Sequence, residues 1–125
     1  MYKPITSFKD LKVWEDSINL HVEIYKTSKR FNDFEYKDQI RRASLSVPTN
    51  IAEGFDRSSL KDYIRFLFIA KSSNSEVRSL LESSLRVNLI NKEEFEKLEN
   101  MAIKINGLIY QLIQSLQNAK PKSIG

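Results

Sequence analysis

A chain of 125 residues with only three glycines and three prolines has little in it that can interrupt a helix. Those residues fall at Pro4, Pro48, Gly54, Gly107, Pro121 and Gly125, so the stretches between them are long. Within each stretch apolar residues return every three to four positions, which is the period of a helix face and not the alternation of a strand. The pattern predicts an all-α protein. At this length one hydrophobic core suffices, so residues 1–125 read as a single domain.

Four helices can be bounded from their capping signals. Ser7-Phe8-Lys9-Asp10 has the form of a capping box opening helix 1, which is predicted to run to about Arg30. "FNDFE" (31–35) makes a turn, with Asn32 or Asp33 capping helix 2, and helix 2 runs into "GFDR", where Gly54 is expected to take the left-handed conformation. Ser59-Leu60-Lys61-Asp62 opens helix 3, extending to about Val87, and Asn91-Lys92-Glu93-Glu94 opens helix 4, extending to about Asn118. Long helices joined by short turns make an antiparallel up-down four-helix bundle over about residues 7–118, with a frayed tail at 119–125.

The apolar stripes carry more than one seam. In helix 4, Phe95, Leu98, Ala102, Ile105, Ile109, Leu112 and Leu116 make a single clean face. In helix 1, Phe8, Leu11, Trp14, Ile18, Val22 and Tyr25 form one stripe, while Val13, Leu20 and Ile24 form a second, about 140° away on a helical wheel. A lone bundle has one interior, so the second stripe, Val13, Leu20 and Ile24, is either part of a wide face covered by loops or, as the reading preferred here, a contact with another subunit. Helix 3 points the same way, because "YIRFLFIAKSS" is apolar all round near Phe66–Ile69. Ser72, Ser75, Ser79 and Ser83 form a ridge of small residues, read equally well as a close-approach surface or a solvated face.

"QIRRASLSVPTNIAEGFDRSS" (39–59) concentrates the unusual chemistry. Ile40, Ser44, Val47, Ile51 and Phe55 share its core face, while Arg42, Ser46, Thr49, Asn50 and Glu53 lie on the other side. Pro48 removes a backbone donor and frees the carbonyl near Ser44, at a cost of about 3 kcal/mol unless packing compensates. Arg42 and Glu53 stand roughly 16 Å apart along the axis, too far to pair. Each is therefore expected to meet a neighbouring helix, another subunit or a ligand.

Catalytic chemistry has little to draw on. Cysteine is absent, and His21 is the sole histidine, which rules out a di-iron bundle built from two Glu-x-x-His pairs. No histidine follows any arginine, so the Arg-x4-6-His pattern of small helical ribonucleases is missing too. Asp10, Asp16 and Glu23 alternate with lysines as on a solvated face, and His21 reads as a boundary residue between two stripes. We expect no enzyme, no cofactor and no metal site. The N-terminus has no apolar leader and no stretch reaches membrane-spanning length, so a cytoplasmic protein without membrane contact is expected.

These segments, with "FKDLKVWEDSINLHVEIYKTSKRF" and "YIRFLFIAKSSNSEVRSLL" in the same order and spacing, resemble the four-helix-bundle family encoded in intervening sequences of bacterial 23S ribosomal RNA genes. The resemblance spans about residues 7–118, and "RRA-S-SVP-NIAEG" is its most specific part. It implies an up-down bundle assembling as a homopentamer, similar to the accessory protein of diversity-generating retroelements, which binds nucleic acid and a reverse transcriptase. The family motif falls on Trp14, Arg41, Arg42, Pro48, Asn50, Ile51, Ala52, Glu53, Gly54, Arg57 and the Ala70/Ser73 region. Thr49 stands where a serine is usual, and the balance is less basic than in the retroelement relatives.

Two functional readings stay open. One is an oligomer associated with RNA or DNA, in which a net charge of +4 per chain becomes about +20 on five, with Arg57, Lys104, Lys120 and Lys122 as the contacts. The other is a protein-interaction scaffold in which Arg42 and Glu53 tie helices or subunits together and the motif is structural.

Overall fold

The capping residues determine where each helix begins. In the computed structural model, which describes residues 5–119, Asp33 accepts a hydrogen bond from the Tyr36 amide and opens helix α2 (Phe34–Phe55). Ser59 accepts from the Asp62 amide and opens α3 (Leu60–Arg86). Asn91 and Glu94 complete a reciprocal box at the start of α4 (Lys92–Asn118). Ser7 also accepts a backbone amide, but it caps only a 3-10 turn over Phe8–Asp10. Leu11 is extended there, so α1 runs over Lys12–Ser28, shorter than expected at both ends. Lys120, Lys122 and most of the expected frayed tail lie outside the described residues.

The four helices form a bundle with cyclic order. α1 packs on α2, α2 on α3, α3 on α4 and α4 back on α1, and among the described residues the backbones of diagonally opposed helices do not approach within 8 Å between Cα atoms. Along α2 and α3 the partners step in opposite directions: Tyr36 with Ser83, Ser46 with Ser73, Gly54 beside Phe66. The other seams carry their own bridges. Arg41 reaches Tyr25, Asn74 donates to the Ala102 carbonyl at 2.9 Å, Arg78 makes a two-pronged contact with Glu99, and Lys97 meets Glu23 at 3.0 Å.

Helix 1 overturns one expectation. Val13, Leu20 and Ile24 are buried in the chain's own core, at 5%, 1% and 1% exposure, so they are not an intersubunit surface. The other stripe is divided: Leu11 is buried, Phe8 and Trp14 pack on each other at the core margin and Ile18 is half-buried, whereas Val22 and Tyr25 are exposed. The reason lies in two serines. Ser17 and Ser28 complete the inner stripe, and each turns its hydroxyl back to a carbonyl of its own helix, Trp14 and Tyr25 respectively. A hydroxyl satisfied in this way is tolerated in a core, although in the sequence it reads as a polar break.

Gly54 departs from expectation as well. It sits inside α2 and not in a left-handed cap, and a Cβ there would meet the Phe66 Cβ at 2.8 Å. Its role is to let α2 and α3 approach closely. In α3, Phe66 and Leu67 are buried while Phe68 and Ile69 are exposed, so the helix is not enclosed on all sides by its own chain. In α4 the deepest residues are Leu98, Ala102, Ile105, Ile109 and Ile113, with Leu112 and Leu116 packed at the margin.

Gly54→Ala is expected to cost about 1–3 kcal/mol through overpacking, measured by urea unfolding. Replacing Leu20 and Ile24 together by Glu should abolish the cooperative helical transition in circular dichroism; a folded, fully helical double variant would contradict their burial.

Candidate functional site on the second helix

Motif residues on α2 are engaged by the bundle to very different degrees, and the geometry separates them. Arg41 is the most heavily committed. Its Nε donates to Ser28 Oγ at 2.8 Å, its Nη2 donates to the Tyr25 carbonyl at 3.0 Å, and its guanidinium lies over the Tyr25 ring, 3.8 Å from the centroid. One side chain thus satisfies the carbonyl end of α1 and fixes it to α2. A lysine could supply the charge but not the planar fork.

Arg42, one residue on, points outward. It lies 3.9 Å from Asp38 of its own helix, and its side chain is 79% exposed. Glu53 pairs with Arg57 at 2.9 Å, again four residues along the chain, with both side chains well exposed. Of the partners expected for Arg42 and Glu53, a neighbouring helix of the same chain is therefore corrected: each instead meets a charge four residues away along the chain, at the surface. Arg57, in the turn after α2, also lies over the Phe66 ring, as does Arg65, the neighbour of Phe66 on α3, both within 5 Å of the ring centroid.

Around Pro48 the helix continues unbroken, and Pro48 itself is buried. The two residues after it add side-chain bonds to the next two carbonyls of the row, while the Ser44 carbonyl is the one that Pro48 leaves without its helical amide. Thr49 Oγ1 donates to the Leu45 carbonyl at 2.9 Å, and Asn50 Nδ2 donates to the Ser46 carbonyl at 2.8 Å and to Ser46 Oγ at 3.0 Å. Ser46 in turn bonds Ser73 on α3 at 2.8 Å. Asn50 thereby links the turn that holds Pro48 to the α2–α3 seam.

His21 joins the same network from α1. Its Nδ1 lies 2.8 Å from Ser44 Oγ, which can donate to the Arg41 carbonyl at 3.1 Å. With the hydroxyl proton spent there, Nδ1 is the donor and the imidazole is held in one tautomer. Burial lowers its pKa below the ordinary value, and the Arg41 guanidinium lowers it further. The Glu23 and Glu94 carboxyls are also lowered, chiefly by hydrogen bonds from Lys97 and Arg30. Burial pushes the Tyr63 phenol up to about 12.

Some structural residues escaped the sequence reading. Asn74 is fully buried in the core stripe of α3, and its Oδ1 has no partner among the described residues. Its spacing from Ala70 and Val77 was the available signal. Lys104 is exposed on α4, beside a groove against α1, and Arg30, Arg78 and Lys97 bridge helices across seams that helical wheels do not pair. Among the described residues no group of His, Asp and Glu gathers as metal ligands would, and no helix is long and apolar enough to cross a membrane.

Fold and motif together define a four-helix bundle whose signature residues are largely spent on its own packing and surface pairs. The chain belongs to the 23S rRNA-intervening sequence protein family, whose model matches residues 9–111. A solved structure of a protein of unknown function from the S23 ribosomal protein family of Bacteroides thetaiotaomicron is similar to it at 30% identity and a TM-score of 0.76, covering 81% of this chain and 97% of that one. Among curated proteins none matches.

Arg41→Ala should destabilise the chain by about 1.5–3 kcal/mol, the usual range for hydrogen bonds to a charged group, whereas Glu53→Ala should stay within about 1 kcal/mol. Urea titrations compare them directly. A second expectation concerns pH. Because the folded His21 pKa lies below the unfolded value of 6.5, its contribution is complete above that pH. It is lost as pH falls through 6.5 towards the folded pKa, where the unfolded chain binds more protons. The carboxylate contributions fade only below 4.5. Thermal melts at pH 7.5 and 5.5 should show a smaller drop for His21→Gln than for the natural chain.

Proposed function

We propose that this chain is a cytoplasmic, non-enzymatic, antiparallel four-helix module that assembles with copies of itself, as a ring of five, and contacts RNA or DNA electrostatically. The observation that carries this reading is the apolar surface left outside the core. Val22, Tyr25 and Leu45 on α1 and α2, and Phe68 and Ile69 on α3, are each between 38% and 50% exposed. The bonds between Arg41 and Tyr25 and between His21 and Ser44 set Val22 and Tyr25 beside α2, while Phe68 and Ile69 belong to α3. Apolar surface spread over three helices suits a heterologous contact, in which one face of a copy meets another face of the next and the series closes as a ring. The outward residues of helix 1, Val22 and Tyr25, replace Val13, Leu20 and Ile24 as the proposed interface.

Nucleic-acid contact in this reading uses Lys104, with Lys120 and Lys122 of the tail, more than Arg57, which is occupied by Glu53 and Phe66. The engagement of Arg57 favours a second reading, a protein-interaction scaffold that binds no nucleic acid.

Light scattering after gel filtration tests the assembly. A mass near five chains is expected, and Val22→Glu combined with Leu45→Glu should lower it while leaving the urea midpoint nearly unchanged; a natural chain that runs as a monomer at micromolar concentration would contradict the proposal.

A further inference from the structure

Between pH 7.0 and 5.5 the side chains of this protein have little that can change charge. The sequence holds no cysteine and one histidine, and the Glu23 and Glu94 carboxyls are held below their ordinary range. Unperturbed carboxylates stay largely ionised through that window, and lysines, arginines and tyrosines stay protonated. His21 is therefore the side chain that titrates there.

Its surroundings are the apolar residues left exposed beside the α1–α2 seam. Val22 follows it in the chain, the Tyr25 ring lies edge-on to it at 6.1 Å between centroids, and its Nδ1 is bonded to Ser44, the residue before Leu45. The imidazole is half-buried, and among the described residues its Nε2 has no hydrogen-bond partner. With the proton on Nδ1, Nε2 is a neutral acceptor that open solvent or a covering surface tolerates. A charged Nε2–H under an apolar cover has neither water nor an acceptor, which is far more costly.

The neighbouring charges offer no compensation. From α2 the group facing His21 is the Arg41 guanidinium, which lies over the Tyr25 ring and repels an imidazolium. Asp38 and Arg42, also on α2, pair with each other on its exposed side. On α1 the positions three and four residues away, Ser17, Ile18, Ile24 and Tyr25, bear no charge at neutral pH. α4 meets α1 elsewhere, where Lys97 takes Glu23 and Lys104 stands by Lys12 and Asp16, and the Phe8–Asp10 turn packs beside Trp14, about two turns away along the helix. Among the described residues the one charge that acts on His21 is Arg41, and no carboxylate offsets it.

We infer that acid releases the self-assembly of this chain through His21: a neutral imidazole is covered when copies join at Val22, Tyr25 and Leu45, and its protonation drives them apart. This rests on the assembly proposed above and names its regulation. The sign follows from linkage. Burial and Arg41 already lower the His21 pKa in the free chain, and a second copy that removes the remaining water lowers it further, so the assembled form binds fewer protons. Assembly is complete above the free-chain pKa and is lost as pH falls through it towards the assembled one. Each copy in a ring brings its own His21, so the slope against pH grows with the number of copies.

Light scattering over a dilution series at pH 7.0 and 5.5, with circular dichroism of the same samples, tests this on the natural chain and on His21→Gln and His21→Phe, neither of which can charge. For the natural chain the concentration of half-assembly is expected to rise at least about tenfold at pH 5.5, with helicity unchanged. Both variants should assemble equally at the two pH values. A natural chain with the same half-assembly concentration at both overturns the acid release and leaves the assembly standing, whereas a monomer at pH 7.0 overturns both. Variants that come apart at pH 5.5 as readily as the natural chain place the titration elsewhere and overturn the role of His21. Helicity that falls together with the mass shows acid acting on the fold, and overturns it as well.

Discussion

How closely α2 can lie against α3 governs this structure. At Gly54 the absence of a side chain brings the two backbones together over Phe66, and the approach propagates along the seam through Ser46 with Ser73 and Tyr36 with Ser83. Gly54 and the Ser46–Ser73 pair let the helices meet at close range, where dispersion contacts are densest, and at the far end the Tyr36 hydroxyl reaches Ser83. Pro48 fits the same arrangement. Buried in α2, it sacrifices one backbone bond, and Thr49 and Asn50 donate to the carbonyls that follow. The remaining helices are joined to this pair by directed polar contacts: Arg41 holds α1 by its carbonyl end and its tyrosine, and Asn74 holds α4 by the Ala102 carbonyl.

That architecture explains what could be read in advance. The helix starts at Asp33, Ser59 and Asn91 were legible because N-capping is a local reaction of a side chain with amides two or three residues away. The core face of α2, through Ile40, Val47 and Ile51, was legible because its opposite side is polar. Helix 1 was not, because both of its stripes are apolar and periodicity cannot say which of two such stripes faces inward. The deciding residues were Ser17 and Ser28, whose burial depends on hydroxyl bonds to their own helix. Gly54 was misread for a related reason: the need for a glycine was visible, but whether it served a turn or a close approach depends on Phe66, a residue of another helix.

Much of the candidate site is engaged within the chain itself. Arg41, Asn50 and Gly54 are spent on seams, while Arg42 and Glu53, which looked most in need of distant partners, are satisfied by Asp38 and Arg57 on the surface. The self-assembly proposed above uses outer apolar residues instead, Val22, Tyr25 and Leu45, none of which is a motif residue.

Native-state hydrogen exchange tests the central claim most directly, because it ranks the helices by the free energy needed to open them. If the α2–α3 seam is the body on which the other helices rest, the amides of Val47–Gly54 and Leu67–Leu81 should exchange only through global unfolding, with α1 and α4 opening at lower free energy. The opposite order, with α2 around Gly54 exchanging first while α1 and α4 stay protected, would contradict it.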